Sequence, residues 1–309
     1  MQQHAPPSFS DPAADLNVND RDEVDPQAAI WQHVAWQRVA AALGDLPESA
    51  LIAVAFSGGA DSAFVLAAGV RVLGARRVVA VTAVSPAVSA AELEAARAFA
   101  AGLGVRHLTP DSDELSSPEY VANSPARCFH CKTEVIAVVR RSAAELSPDV
   151  IVVTGTNADD LRDPHRPGIA AARALGARTP LAAVSKAEVR AMSRALGLPT
   201  ADKPAQPCLS SRIAFGVPVT AAGLRRVERA EAGVRQVLAD DGLAGDAGLP
   251  LRVRDLGGDH ARVEVDEARV AAVREDQRVE AAVIAAGFVS VTVTAFRSGS
   301  LHELPLTPT

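Results

Sequence analysis

From Leu51 onward, short apolar runs alternate with longer stretches in which apolar residues recur every three or four positions. The runs Leu51–Phe56, Arg77–Val84, Val105–Leu108 and Val150–Thr154 have the length and composition of buried strands. Between them, Ser62–Leu73, Ser89–Leu103 and about Cys131–Leu146 carry helical spacing. Apolar strands alternating with helices predict an α/β fold, a doubly wound parallel sheet covered on both faces.

The pattern differs at the two ends. Residues 1–25 are polar and acidic with almost nothing to bury, which predicts a disordered tail. Asp25-Pro26 then offers an N-cap and a first-turn proline, and Ile30, Trp31, Val34 and Leu43 supply the stripe of a helix ending at Gly44. After a loop-rich stretch through Gly168, Ser185-Lys186-Ala187-Glu188 is a capping box opening a helix that stops at Gly197 and Pro199. The proline-containing segment Ala201–Pro218 reads as ordered loop. From Thr220 the pattern gives a helix to about Leu238, strand Leu251–Leu256, turn Gly257-Gly258-Asp259, strand Ala261–Val265, helix Glu267–Ala286 and strand Val289–Phe296. Alternation such as Arg262-Val263-Glu264-Val265 predicts an antiparallel sheet open on one face. The expected domains are therefore 26–218, and a smaller α+β domain over 219–309.

Composition adds little to this division, but charge does. Of the net charge of −6, most sits in the first 27 residues, where six acids face Arg21. The remaining body is nearly neutral and only 4% of residues are aromatic, so no footprint for nucleic acid is expected. No apolar run approaches the ~20 residues of a membrane span, and the first residues do not form a signal peptide, so a cytoplasmic location away from membranes is expected.

The densest chemistry follows the first strand. In Ser57-Gly58-Gly59-Ala60-Asp61-Ser62, two glycines let backbone approach a ligand, two hydroxyls can donate, and a helix start points its unpaired N–H groups into the same space. Such a cradle suits phosphate. Asp61 would repel phosphate unless a cation intervenes, which implies Mg²⁺ between the carboxylate and a polyphosphate. Neither G-x-x-x-x-G-K-[ST] nor G-x-G-x-x-G is present. Thr154-Gly155-Thr156-Asn157-Ala158-Asp159-Asp160 follows another apolar strand, so a parallel sheet brings it to the same carboxyl edge, where ligands gather.

The chain has three cysteines. Cys128-Phe129-His130-Cys131 is a C-x-x-C, compatible with half a zinc site completed by a histidine such as His130, a redox dithiol, or part of an iron–sulfur site. Cys208 stands alone, and three thiolates without a fourth suit a cluster with one iron left open. Unrelated buried cysteines are the bland alternative. Arg127, Lys132 and Arg212 adjoin the cysteines and are expected to lower thiol pKa values. Arg252 and Arg254 lie two apart on a strand and share a face suited to a phosphate, or to solvent. Trp31 and Trp36 read as packing.

SGGADS, RCFHCKTE, GTNADDLRDPHRPG, the block from Ser185 through PCLSSR, and a late FRSGS together resemble the family of ATP-dependent pyridinium-3,5-bisthiocarboxylic acid mononucleotide synthases (LarE), sulfur transferases of nickel-pincer cofactor synthesis. The similarity spans about Leu51 to Glu303. It implies the PP-loop ATP pyrophosphatase fold, with ATP and Mg²⁺ adenylating a carboxylate of a pyridinium mononucleotide and a sulfur nucleophile displacing AMP. By the same resemblance, Ser57, Gly58, Gly59, Asp61 and Ser62 would hold ATP and Mg²⁺, with Gly155, Thr156, Asn157 and Asp160 completing the pocket. Asp61 and Cys208 would be the catalytic pair, Cys208 carrying sulfur. Arg212, Arg252 and Arg254 would bind substrate.

Members with one such cysteine donate its own sulfur and keep dehydroalanine. Cys128, Cys131 and Cys208 instead match the members with a four-iron four-sulfur cluster, which implies an extra sulfide on the open iron and an external sulfide source. A homo-oligomer is also implied. Competing readings are a tRNA thiolase of the same superfamily, disfavoured by the neutral body, and an ATP-binding sensor with structural zinc. An ATP-dependent amidase lacks its glutaminase portion.

Overall fold

The computed structural model describes residues 30–163, 166–240 and 250–297. Their order is α1 (Val34–Gly44), β1 (Leu51–Ala55), α2 (Ala60–Leu73), β2 (Val78–Val81), α3 (Ala90–Gly102), β3 (Arg106–Leu108), α4 (Pro118–Val121), α5 (Arg127–Ala144) and β4 (Val150–Val153). Then come α6 (Ala158–Arg162), α7 (Pro167–Ala174), α8 (Lys186–Ala195), α9 (Ala221–Asp240), β5 (Arg252–Asp255), β6 (His260–Val265), α10 (Val270–Glu275), α11 (Gln277–Ala285) and β7 (Ser290–Ala295). The tail and the Asp25-Pro26 helix start lie outside the described residues, as do Ser298–Ser300 of the FRSGS block. Among the described residues no helix is long and apolar enough to cross a membrane.

The chain divides into two compact units. One comprises residues to Ala83, Ala91–Asp111 and Val135–Asp202; the other comprises Val84–Ala90, Ser112–Glu134 and the chain from Lys203. This division is discontinuous, whereas a single boundary near residue 218 was expected, and it places all three cysteines in the second unit.

The first unit is built on a four-stranded parallel sheet in the order β3-β2-β1-β4. The expected α/β fold is therefore observed. β1 lies centrally, with Ala53 opposite both Val79 and Val152. Small residues in these strands let helices sit close, and α2 buries almost its whole length, from Ser62 through Gly69. The stripe of α1 buries Ala35, Trp36, Val39 and Leu43 in the same core as Phe64 and Leu66. Each of the larger side chains, such as Val39, Leu43, Phe64 and Leu66, contributes about 1.5–3 kcal/mol through burial. The stretch expected to be loop-rich through Gly168 contains a short helix, α6, opened by Asn157, and the start of α7, which has Pro167 in its first turn.

The second unit departs from expectation in three ways. Its three-stranded sheet, β5-β6-β7, is mixed: β5 and β6 are antiparallel, but β6 and β7 are parallel. The helical crossover between β6 and β7 returns the chain in the same direction, which a hairpin cannot do. That crossover is broken, because Asp276 is extended (ψ 104°) and caps α11 by accepting from the Arg278 amide. Finally, neither face of β5 is open, all four of its residues being buried. The core there joins Val253 and Val263 to Leu224, Val227 and Val234 of α9. Two charged residues of the alternation are buried as a pair, Arg254 bonding Glu264 at 2.8 Å.

Candidate functional site

Between β1 and α2 the chain turns through Ser57–Gly59, with Gly58 at φ +71°, a conformation that favours glycine. A side chain there would also stand 3.3 Å from Ala96 Cβ. Gly59 precedes α2 without a side-chain cap, so the first N–H groups of a fourteen-residue helix remain for a ligand. The Ser57 and Ser62 hydroxyls meet at 3.1 Å, and Ser62 donates to the Gly59 carbonyl at 3.0 Å. Ser62 is thus turned into the loop, and Ser57 is the exposed one.

The loop after β4 packs directly on this turn. A Cβ at Gly155 would lie 2.7 Å from the Ser62 nitrogen and 2.8 Å from the Asp61 carbonyl carbon, so only glycine fits. Thr154 and Thr156 share a hydroxyl bond of 3.1 Å. Asn157, fully buried, donates from Nδ2 to Asp61 Oδ1 at 3.2 Å and accepts the Asp159 and Asp160 amides on its Oδ1. Asp160 in return accepts the Asn157 backbone N–H and pairs with Arg166 at 2.9 Å. The structure therefore brings together the residues expected at the nucleotide site, but Asp160 serves the local fold and Asp61 is the acid directed by Asn157.

Burial holds the Asp61 carboxyl above its ordinary pKa, the Asn157 bond opposes this, and Asp160 adds to it. Lys186 and Arg190 lower it in turn. These cations lie one turn apart on α8 and were missed in the sequence, where only the capping box Ser185/Glu188 drew notice. Their spacing of four was the available signal.

The cysteine site is assembled differently. α5 begins at Arg127, four residues earlier than expected, so Cys128 and Cys131 share the first turn of one helix. Cys208 enters from the segment before Leu209–Arg212 and is near enough to Cys131 for their charges to interact. Cys128 and Cys208 are exposed, and Cys131 is half-buried. The expected lowering of thiol pKa does not hold at Cys131. Burial pushes its thiol up to about 12, Cys208 and Glu114 add to this, and Lys132 only partly opposes it.

The arginines face elsewhere. Arg127 donates to the Ser210 carbonyl at 2.8 Å and to Asn123. Arg212 forms a buried two-pronged pair with Glu231 at 2.7 and 3.1 Å and donates to the Pro207 carbonyl at 2.6 Å. Arg252 donates to the carbonyls of Leu251 and Ala205, and Arg254 to that of Ser211. Burial and the charge of Arg212 bring Arg252 down to about 10. Sequence reasoning offered Arg212, Arg252 and Arg254 to substrate and Arg127 to the thiols; the structure turns all four on the backbone around Cys208. It also adds Tyr120, Asn123 and Glu231, which sequence alone gave no reason to choose.

The parallel sheet, the glycine turn and the adjoining second loop define an α/β protein of the PP-loop type with a smaller sheet domain. No family profile matches the chain. Over 269 residues it is 33% identical to the pyridinium-3,5-bisthiocarboxylic acid mononucleotide synthase of Lactiplantibacillus plantarum, covering 85% of this chain and 92% of that one. The chain belongs to the family of that synthase. It is also 46% identical over 186 residues to an uncharacterised protein of Synechocystis, covering 60% of this chain and 68% of the relative. A third similarity, 28% over 113 residues, is to an uncharacterised protein of Methanocaldococcus jannaschii and covers 36% of this chain and 43% of that one.

Proposed function

We propose that the chain is an ATP-dependent sulfur transferase that converts a carboxylate of pyridinium-3,5-biscarboxylic acid mononucleotide to a thiocarboxylate, drawing on an external sulfide source and working as a homo-oligomer. The observation that carries this reading is the gathering of three cysteines in one unit of a chain related over most of its length to the synthase.

A carboxylate is a poor acyl donor because its oxygen leaves badly. Attack of that carboxylate on the α-phosphorus of ATP expels pyrophosphate and gives an acyl adenylate. The first amides of α2, Gly58 and Gly59 suit the phosphate charge that develops. Asp61, aimed by Asn157, has the chemistry to hold Mg²⁺ against the phosphates. A sulfide then attacks the acyl carbon; AMP leaves with the C–O electron pair, and the proton of hydrosulfide passes to solvent.

Three thiols in one unit, with no fourth cysteine in the chain, suit an iron–sulfur cluster that leaves one iron open. Cys128, Cys131 and Cys208 would hold it, and when bound it would supply the sulfide on its open iron. Direct donation from Cys208 is the other route, in which its Cβ–Sγ bond breaks and dehydroalanine remains.

Anaerobically purified protein is expected to contain iron and acid-labile sulfide, lost in Cys208→Ala, and to yield thiocarboxylate, AMP and pyrophosphate from the biscarboxylated nucleotide and ATP. Intact mass after turnover discriminates the routes. Loss of one sulfur from Cys208 would overturn the cluster route; an absence of thiocarboxylate would overturn the function.

A further inference from the structure

The segment around Cys208 carries Pro204, Pro207 and Pro218, which have no N–H to donate, and it meets β5 through the isolated bridge of Ile213 to Asp255 rather than a continuous strand ladder. It is fixed from outside. The carbonyls of Ala205, Pro207, Ser210 and Ser211 each accept from a buried guanidinium: Arg252 at 2.8 Å, Arg212 at 2.6 Å, Arg127 at 2.8 Å and Arg254 at 2.6 Å. Three of these cations lie in or after the loop. Arg127 alone belongs to the helix that bears Cys128 and Cys131.

Asn123 extends the same connection. It is fully buried and held at φ +53°, a conformation asparagine tolerates better than most residues. Its Nδ2 donates to the Ala214 and Val217 carbonyls, both at 2.8 Å, and its Oδ1 accepts from Arg127. Its own carbonyl accepts from Gly216 at 3.3 Å, and the Tyr120 hydroxyl meets Ser210 Oγ at 2.5 Å. The Arg127 guanidinium also lies over the Phe215 ring, at 5.7 Å.

We propose that Asn123 and Arg127 are positioning residues for Cys208, tying its loop to the first turn of the Cys128/Cys131 helix so that the three sulfurs keep one mutual arrangement. This rests on the sulfur-transfer reading above. Neither residue needs to touch substrate. Their effect should fall on sulfur delivery and not on activation, because both lie in the unit that holds the cysteines, whereas Ser57–Ser62 and Asp61 lie in the other. A residue that merely stabilises the fold would depress both half-reactions together.

The test uses Asn123→Asp, which keeps shape and tolerance of the backbone conformation but replaces the donor by an acceptor facing two carbonyls, and Arg127→Lys, which keeps charge but loses the fork. Hydrogen exchange of the metal-free full chain is expected to show amides of residues 209–217 exchanging at least about tenfold faster in both variants, with those of 51–83 unchanged. Pyrophosphate release should stay within about twofold of wild type while thiocarboxylate formation falls about tenfold or more, Arg127→Met falling further than Arg127→Lys. Unchanged exchange at 209–217, or equal losses in the two half-reactions, would overturn the proposal. Should the wild type prove to make no thiocarboxylate, the functional reading fails and exchange alone judges the tether.

Discussion

The two sites of this chain are made in opposite ways. The nucleotide loop is written in consecutive residues: Gly58 and Gly59 shape a turn, α2 supplies amides, and one further loop completes it through Gly155 and Asn157. The cysteine site is written across the chain, with Cys128 and Cys131 on one helix turn and Cys208 on a loop whose course is set by Arg127, Arg212, Arg252 and Arg254. The first rests mainly on backbone conformation, with one side-chain bond from Asn157 aiming Asp61. The second needs buried charge, and buried charge has to be compensated.

The largest effects should separate the sites completely. Cys208→Ala is expected to lower thiocarboxylate formation by about 10³-fold or more while leaving pyrophosphate release near wild type, because the sulfur source is lost and the nucleotide loop, in the other unit, keeps all its residues. Gly155→Ala should instead slow the first step, and with it the thiocarboxylate formation that depends on it. Its methyl would meet the Ser62 amide nitrogen at 2.7 Å and displace the turn, lowering ATP-dependent pyrophosphate release about a hundredfold. Paired assays of the two variants check this. If Cys208→Ala also abolished pyrophosphate release, the sites would not be separable.

How much could be read from sequence follows the same line. The strands, the alternation and the glycine turn were legible because they depend on local periodicity and on glycine. Gly155 was recognised as a neighbour of the turn, though not the steric reason for it. The direction of β7 was misread because a short apolar strand looks the same in either orientation, and the broken crossover decides it. Arg252 and Arg254 looked like one face of an open strand; the groups that hold them, the Ala205 and Ser211 carbonyls and Glu264 of β6, are remote in sequence or on another strand. Asn123 could not be chosen because the carbonyls that its Nδ2 meets are 90 or more residues away.

An intermediate effect sharpens the claim about compensated charge. Arg212→Met would leave Glu231 buried beside Val253, whose amide it also accepts at 3.0 Å, without its cation. A loss of about 3–5 kcal/mol in unfolding free energy is expected. Arg212→Met combined with Glu231→Leu should recover much of it, since an apolar pair removes the stranded charge. Denaturant titration of the two variants measures the difference. A single variant no less stable than wild type would mean that the pair does not hold the Cys208 loop.

The smallest effect comes from the other site and has the opposite sign. Because the folded chain raises the Asp61 pKa through burial, the native state binds its proton more readily than the unfolded state does. The stabilisation associated with that proton is present below the unfolded carboxyl pKa and is lost as pH rises through the folded value, so at pH 7 the ionised group costs stability. Asp61→Asn removes the charge, and its amide can still meet the Asn157 side chain through its oxygen. The nucleotide-free variant should therefore melt slightly higher than wild type at pH 7, by on the order of 1 °C, with the advantage shrinking as pH falls toward the carboxyl pKa. With ATP and Mg²⁺ present the order should invert, since the wild type alone keeps the carboxylate that favours the cation. Melting curves at two pH values, with and without nucleotide, test both signs, and a variant that still gained full stabilisation from MgATP would remove Asp61 from the metal's coordination.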